Sequence, residues 1–460
     1  MLRRWQSECV NDAVAHYTGG NKHFLAQATP GAGKTFMAAN LAKRLFDLSM
    51  IDFVICFSPS KAVSLSLQSS FAKTLKNEMD GKFGSLGMSI TYQSVQYLDD
   101  TFWKKLLKYR VLCIFDEIHH CGGDKEQNSN VWGQQILCKI QNVATYTLAL
   151  TGTPWRSDLI PITLASYSDP DGEIICNYQY TLKQAITDKV CRRPKIALID
   201  CEYPKINSQG QTATYKSINE LFKDSKFSYS SLLRNRKANL YLLNQAVNKL
   251  NALRHINPTA GGLIVASSIK HAMALAQILE TEFGQSTITV THQNTDAQSR
   301  IKQFKENCTQ WIVSVGMISE GTDIPRLQVC CHLSNIKTEL YFRQVLGRIL
   351  RRTSDANQEA WLYTFAEAKL TAFSTQIELD IPDSCLHLKA EPETGPTANI
   401  GPTQPVLTEK NTILASNLNE HTFKWEDDTV SNLPITGEVN SSHLILQQFK
   451  KKVVEAFRYS

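Results

Sequence analysis

The sequence predicts an α/β protein of two doubly wound parallel-sheet domains, with a helical insertion between them and a small C-terminal extension. Three observations carry this reading. Short apolar runs alternate with helix-like stretches over residues 24–150, and the alternation resumes at residue 261. The runs lack apolar–polar alternation, as suits strands covered on both faces. Chemistry-bearing residues sit at the ends of the runs, where parallel sheets present their ligand crevice.

Taken in order, residues 24–28 form the first expected strand. Ala28-Thr29-Pro30-Gly31-Ala32-Gly33-Lys34-Thr35 follows and reads as a phosphate-cradling loop. Small residues free backbone N–H groups for triphosphate oxygens, Lys34 adds a point charge, and the Thr35 hydroxyl can ligate Mg²⁺. Residues 36–45 are helix-like, which directs a partial positive charge at the phosphates. Ala28 stands where the usual first glycine would be; the plainer alternative is a glycine turn before an ordinary helix. Strands are expected next at 53–58, 111–115 and 147–150. The 111–115 run ends in Asp116-Glu117. There Asp116 is placed to hold Mg²⁺ and Glu117 to orient an attacking water. A solvated acidic turn is the alternative.

Residues 179–258 change character, with Arg192-Arg193-Pro194, a polar segment near 209–214 and a helical pattern over 232–254. They read as a connection plus a helical insertion. Beyond them come strands at 263–266, 311–315 and 327–332 and helices at 271–283 and 299–307. In the run 341–352, Arg348 and Arg351 are three apart, so a continuous helix would put both on one face. Two such guanidinium groups can converge on a γ-phosphate. Arg343 and Arg352 read as solvated or as touching nucleic acid.

Asp116-Glu117-Ile118-His119 has the form D-E-x-H. With the phosphate loop and Gln344-x-x-Gly347-Arg348-x-x-Arg351, in that order, the chain resembles superfamily 2 helicases and translocases. Leu2-Arg3-Arg4-Trp5-Gln6 looks like the family's adenine-recognition motif, with Gln6 reading the base edge. Thr151-Gly152-Thr153-Pro154-Trp155-Arg156 and Glu320-Gly321-Thr322-Asp323-Ile324-Pro325 look like motifs III and V of the restriction-enzyme-related group. The resemblance implies RecA-like domains at 1–178 and 259–372, the connection and insertion at 179–258, and an extension at 373–460. It implies ATP and Mg²⁺ as cofactors, with Arg3, Gln6, Pro30, Gly31, Ala32, Gly33, Lys34, Thr35, Gly321 and Asp323 at the nucleotide and Thr35 and Asp116 at the metal. Glu117, Gln344, Arg348 and Arg351 are the expected catalytic set, and His119, Thr151 and Thr153 the coupling set. Ser58, Ser60, Thr91, Gln93, Ser94, Ser267, Ser268 and Thr322 are expected to touch a nucleic-acid backbone, since small polar groups at strand ends suit phosphate and sugar. Thr151-Gly152-Thr153 favours DNA, because RNA-unwinding relatives carry Ser-Ala-Thr. Rival readings are an RNA-remodelling enzyme, a restriction or defence motor that translocates without unwinding, and an ATP-gated scaffold.

Composition bounds the rest. A chain of 460 residues can bury two or three cores. No apolar run approaches the ~20 residues that span a bilayer. Twelve cysteines lie scattered without C-x-x-C spacing, which suits buried thiols in the cytoplasm. Cys330-Cys331 cannot put both side chains on one strand face. The net charge of +6 permits nucleic-acid binding without requiring it. Lys104, Lys105, Lys108 and Lys450-Lys451-Lys452 are candidate basic patches or solvated faces. Residues 382–405 read as a linker. Residues 441–457 carry apolar side chains at helical spacing, so an amphipathic helix is expected there, packed on the core or docking a nuclease or other partner protein.

Overall fold

The computed structural model describes residues 2–118, 140, 143–152, 166–167, 174–208, 211–224, 227–316, 323–353, 358–378, 443–446 and 448–455. Strands β1 (His23–Ala28), β2 (Phe53–Ser58), β3 (Gly87–Thr91), β4 (Val111–Asp116) and β5 (Ala144–Thr151) belong to the first lobe. Two short strands, β6 (Ser166–Tyr167) and β7 (Ile174–Ile175), pair with each other, and β8 (Tyr178–Tyr180) follows. The first sheet has the order β3-β2-β4-β5-β1-β8, parallel throughout. Why its strands read as unbroken apolar runs is visible in β4. Leu112 and Ile114 enter one core cluster while Val111, Cys113 and Phe115 enter the other, on the opposite face.

The second lobe is built from β9 (Arg193–Glu202), β12 (Gly261–Ala266), β13 (Thr287–Val290), β14 (Trp311–Ser314), β15 (Leu327–Leu333), β16 (Glu359–Phe365) and β18 (Gln448–Glu455). Their order is β13-β14-β12-β15-β16-β9-β18, with only β18 antiparallel. The hairpin β10 (Lys205–Ser208) and β11 (Gln211–Thr214) carries β17 (His443–Ile445) on its free side. Both expected parallel sheets are present.

Residues 179–258 are more than a connection. They complete β8 in the first sheet, supply β9 to the second, and end in the helix Arg236–Arg254, whose Leu242, Leu243, Ala246 and Leu250 are buried. The helical pattern over 232–254 corresponds to the helices Tyr229–Leu233 and Arg236–Arg254, parted by the Asn235 cap.

The expected C-terminal helix is corrected. Within 441–457 the described residues form β17 and β18, and β18 pairs with β9 along eight residues. A free backbone edge on β9 outweighs a weak helical spacing that strands of mixed exposure also produce. Phe449 stacks on Tyr241 and Val454 is buried, while Lys450 pairs with Glu202 at 3.2 Å. The expected linker at 382–405 lies outside the described residues, as do His119, Thr153, Gly321 and Thr322. Among the described residues no helix is long and apolar enough to cross a membrane.

Candidate nucleotide site

The phosphate loop leaves β1 and enters the helix Lys34–Asp47. Gly31 (φ 86°) and Gly33 (φ 99°) take left-handed backbone that side chains disfavour. Ala28 is still in the strand, buried, and its carbonyl accepts from Lys34 Nζ at 3.2 Å. A methyl group is harmless in extended backbone, so Ala28 fits at the end of β1.

The loop is braced from the N-terminal helix Arg4–Thr18. Arg3 Nη1 donates to Ala32 O at 2.7 Å and Gln6 Nε2 to Gly33 O at 3.0 Å, while Gln6 Oε1 accepts from Arg3 N at 2.9 Å. A Cβ on Gly33 would stand 2.9 Å from Gln6 Nε2. Both ends of the amide of Gln6, the residue expected to read a base edge, therefore bond within this brace. Trp5 stacks on Tyr180 with centroids 4.8 Å apart and anchors the helix to β8.

Opposite the loop, β4 delivers Asp116, whose carbonyl accepts from Tyr92 Oη at 2.8 Å. Glu117 leaves the strand at φ 51°, a conformation costly for a residue with a Cβ and concentrated at working sites. That turn sends its carboxylate across the crevice. Oε1 pairs with Lys34 Nζ at 3.1 Å and Oε2 accepts from Gly152 N at 3.1 Å. A Cβ on Gly152 would lie 3.1 Å from Lys34 Nζ. Thr151, just before it, is fully buried at the end of β5.

The second lobe reaches this site with residues 347–351. Here an expectation fails: the helix Glu339–Gly347 stops at its Arg348 cap, so Arg348 and Arg351 do not share a helix face. Two tight turns follow, with Arg348 N bonding Val345 O and Ile349 N bonding Leu346 O. Arg351 then bridges to Cys191 in antiparallel sense. The turn brings Arg351 onto the loop: a Cβ on Gly31 would sit 3.2 Å from Arg351 Cγ. Gly347 faces Pro30, and a Cβ there would come within 2.4 Å of Pro30 Cβ. Only glycine permits that approach. Arg351 forms an ion pair with Asp323. Gln344 is buried, Arg343 pairs with Glu339 at 2.9 Å, and Arg352 is exposed.

Most of the described hydroxyls expected at nucleic acid have local partners. Ser60, Thr91 and Ser268 cap helices by accepting from Val63 N, Ser94 N and His271 N. Ser94 bonds Thr91, Ser267 bonds His271 Nδ1, and Ser58 is fully buried, donating to neighbouring carbonyls. Gln93 is exposed. Lys104 and Lys105 lie exposed on the helix Asp100–Leu106, with Lys108 exposed just beyond it.

Nothing in the sequence signals a role for Cys191, and Arg192 stands out there only as part of Arg192-Arg193-Pro194. Arg192 is 1% exposed, and its guanidinium bonds Leu327 O and Ile349 O in the second lobe. Cys191 Sγ lies 3.9 Å from Pro30 O, and burial pushes its thiol up to about 12. The available signal was the basic dipeptide before Pro194 at the start of an apolar run.

Comparison with known proteins agrees with this architecture. Residues 1–156 match the family model described as "Type III restriction enzyme, res subunit", and residues 245–353 match "Helicase conserved C-terminal domain". An uncharacterized protein of Mycobacterium leprae is 30% identical over 364 residues, covering 76% of this chain and 59% of the relative. One from Mycobacterium tuberculosis H37Rv is 32% identical over 375 residues, again covering 76% and 59%. The chain thus spans 59% of the length of these relatives. Among solved structures, a fragment assigned as the HsdR subunit of a type I restriction enzyme from Vibrio vulnificus YJ016 superposes with TM-score 0.55 at 16% identity. It covers 81% of this chain and 65% of its own. The Saccharomyces cerevisiae protein Dbp5, bound to RNA and ADP BeF3, gives 0.51 at 13% identity, with coverage of 81% and 86%. These structures share the fold. With a helicase-family model on each lobe, the chain belongs to the superfamily 2 helicases, in their restriction-enzyme-related group.

Proposed function

We propose that the chain is an ATP-dependent helicase or translocase that acts on DNA in the cytoplasm. The observation that carries this reading is the convergence of Lys34, Glu117 and Gly152 with Gly347 and Arg351 around one phosphate loop. The loop's left-handed glycines and the helix N-terminus beyond them suit a triphosphate. Thr35 and Asp116, the hydroxyl and carboxylate of the loop and of β4, would hold Mg²⁺ and let it neutralise phosphate charge. Lys34 exchanges the Glu117 carboxylate for phosphate oxygens. Glu117, released, turns to the attacking water. Arg348 and Arg351 stabilise the charge that develops on the γ-phosphoryl group, which requires the lobes to stay closed. Hydrolysis and release then loosen the Pro30–Gly347 contact, and the lobes change their grip on a strand laid across them.

A second reading is favoured by the type III restriction match over residues 1–156: a motor that translocates without separating strands and works with a nuclease. The nine described cysteines are free, which suits a reducing compartment. Steady-state ATP hydrolysis with no polymer, single-stranded DNA, duplex DNA and RNA tests both, with Lys34→Ala as control. Stimulation by DNA above RNA, together with strand separation, is expected. Stimulation by duplex DNA without separation selects the second reading, and hydrolysis stimulated only by RNA overturns the choice of DNA.

A further inference from the structure

The arginine-bearing segment 348–353 lies outside any long helix or strand, yet it must meet the phosphate loop within a fraction of an ångström to act. Something else holds it. The chain between the lobes runs antiparallel beside it: Cys191 bridges to Arg351, and Arg192 N donates to Leu350 O at 2.6 Å. The Arg192 side chain then turns inward and is buried. Its Nη1 donates to Leu327 O at 2.6 Å and Ile349 O at 3.3 Å, its Nη2 to Thr353 Oγ1 at 3.2 Å, and its Nε to Gln358 Oε1 at 3.2 Å. Gln358 Nε2 in turn donates to Thr353 O at 3.0 Å. One guanidinium therefore ties together the start of β15, both ends of the arginine segment and the approach to β16.

We propose that Arg192 is a positioning residue: it fixes segment 349–353 in the place from which Arg351 meets the phosphate loop. The inference rests on the reading of Arg351 as a group that acts on bound nucleotide. A cation in a protein core is costly, and bonds of good geometry must offset that cost. An apolar side chain would fill the space without the cost, but it would not orient the segment's carbonyls. The planar fork suits the task, since it offers fixed donors in several directions, where lysine offers one compact head. The neighbouring residue gives the arrangement a second anchor. Cys191 N bonds Ala185 O of the first-lobe helix Leu182–Thr187, and Cys191 Sγ lies against Pro30 O. The same two residues are thus tied to the first lobe, to the phosphate loop and to the arginine segment. A displacement of about 1 Å in a reacting group can lower the rate on the order of 10²-fold.

The test is ATP hydrolysis by the full chain with its stimulating polymer, measured for Arg192→Lys, Arg351→Ala and the pair combined, with thermal melting of each. Expected for Arg192→Lys is a kcat lower by roughly 10–100-fold with KM for ATP changed by less than about threefold. In the Arg351→Ala background, single-turnover rates should show less than about a twofold further loss, because the two residues act as one unit. The double variant Thr353→Val/Gln358→Met leaves Arg192 in place and removes two of its acceptors. It should lower kcat in the same sense by a smaller factor, and it decides the matter if Arg192→Lys does not fold. A lowered melting temperature with kcat unchanged, or losses that multiply with Arg351→Ala, would overturn the inference. If Arg351→Ala keeps its turnover, the reading beneath it fails as well. If Arg351→Ala loses turnover and the Arg192 and Thr353/Gln358 variants do not, only the inference fails.

Discussion

The two walls of the candidate nucleotide site are held in opposite ways. The first-lobe wall is braced by residues of other recognisable motifs: Arg3 and Gln6 on Ala32 and Gly33, and Glu117 between Lys34 and Gly152. The second-lobe wall has its arginines on a turn, kept in place by a residue some 160 positions earlier, since Arg192 and Thr353 stand 161 apart. The first wall is shaped by contacts among recognisable motifs 27, 29 and 35 positions apart, whereas the second leans on a residue outside any motif. Chemical groups can be read from motifs, whereas their supports are scattered through the chain.

Substitutions sharpen the contrast. On the proposed reading Lys34 meets phosphate and not the track, so Lys34→Ala should reduce ATP hydrolysis below detection while DNA affinity stays within about threefold in a filter or anisotropy assay. Arg351→Ala should lower kcat on the order of 10³-fold with nucleotide binding nearly unchanged in calorimetry. Lost binding would instead assign the arginine a ground-state role. Gly347→Ala puts a methyl group 2.4 Å from Pro30 Cβ, so the walls must part. A kcat lower by about 10-fold or more, with melting almost unmoved, is expected because the strain falls on the contact between lobes. Normal turnover would mean that the walls need not touch this closely.

Stability provides a gentler probe. His332 is fully buried beside Tyr341 and Phe342 with neither ring nitrogen bonded, and burial lowers its pKa to about 4. Burial, then the charge of Arg234, lowers His271 to about 4 too. Between their ordinary value of 6.5 and about 4 the unfolded chain binds protons that the folded chain refuses. Stability therefore falls as pH drops through that window, by about 1.4 kcal/mol per unit for each histidine. His332→Phe should remove roughly half of that slope in urea titrations at pH 4.5–7. An unchanged slope would show that the imidazole is hydrated. The smallest effect is expected from Lys450→Ala, whose half-exposed pairing with Glu202 should be worth no more than about 1 kcal/mol.

The parallel strands of both sheets were legible because burial on two faces leaves an unbroken apolar run, as in 53–58 and 111–116. That the glycine-rich loop and the acid pair meet, with Glu117 on Lys34, was legible because each is a compact local pattern. The hydroxyls were harder, since a serine before a helix looks the same whether it caps that helix or faces a phosphate; Ser60 and Ser268 do cap. The helix break at Arg348 was hidden because nothing in Gly347-Arg348-Ile349-Leu350 forbids another turn; the bridge from Cys191 decides it. The C-terminal strands were hidden for the same reason, since β18 owes its conformation to the edge of β9.

That last pairing has a consequence for the order in which the protein is made. Glu202 of β9 pairs with Gln448, so roughly 250 residues of synthesis, tens of seconds at ordinary translation rates, separate the edge from its cover. During that interval the edge of β9 that β18 later covers is without its native partner. Slower elongation would lengthen the exposure, and a chaperone that shields strand edges would raise the yield of folded protein without altering its final stability.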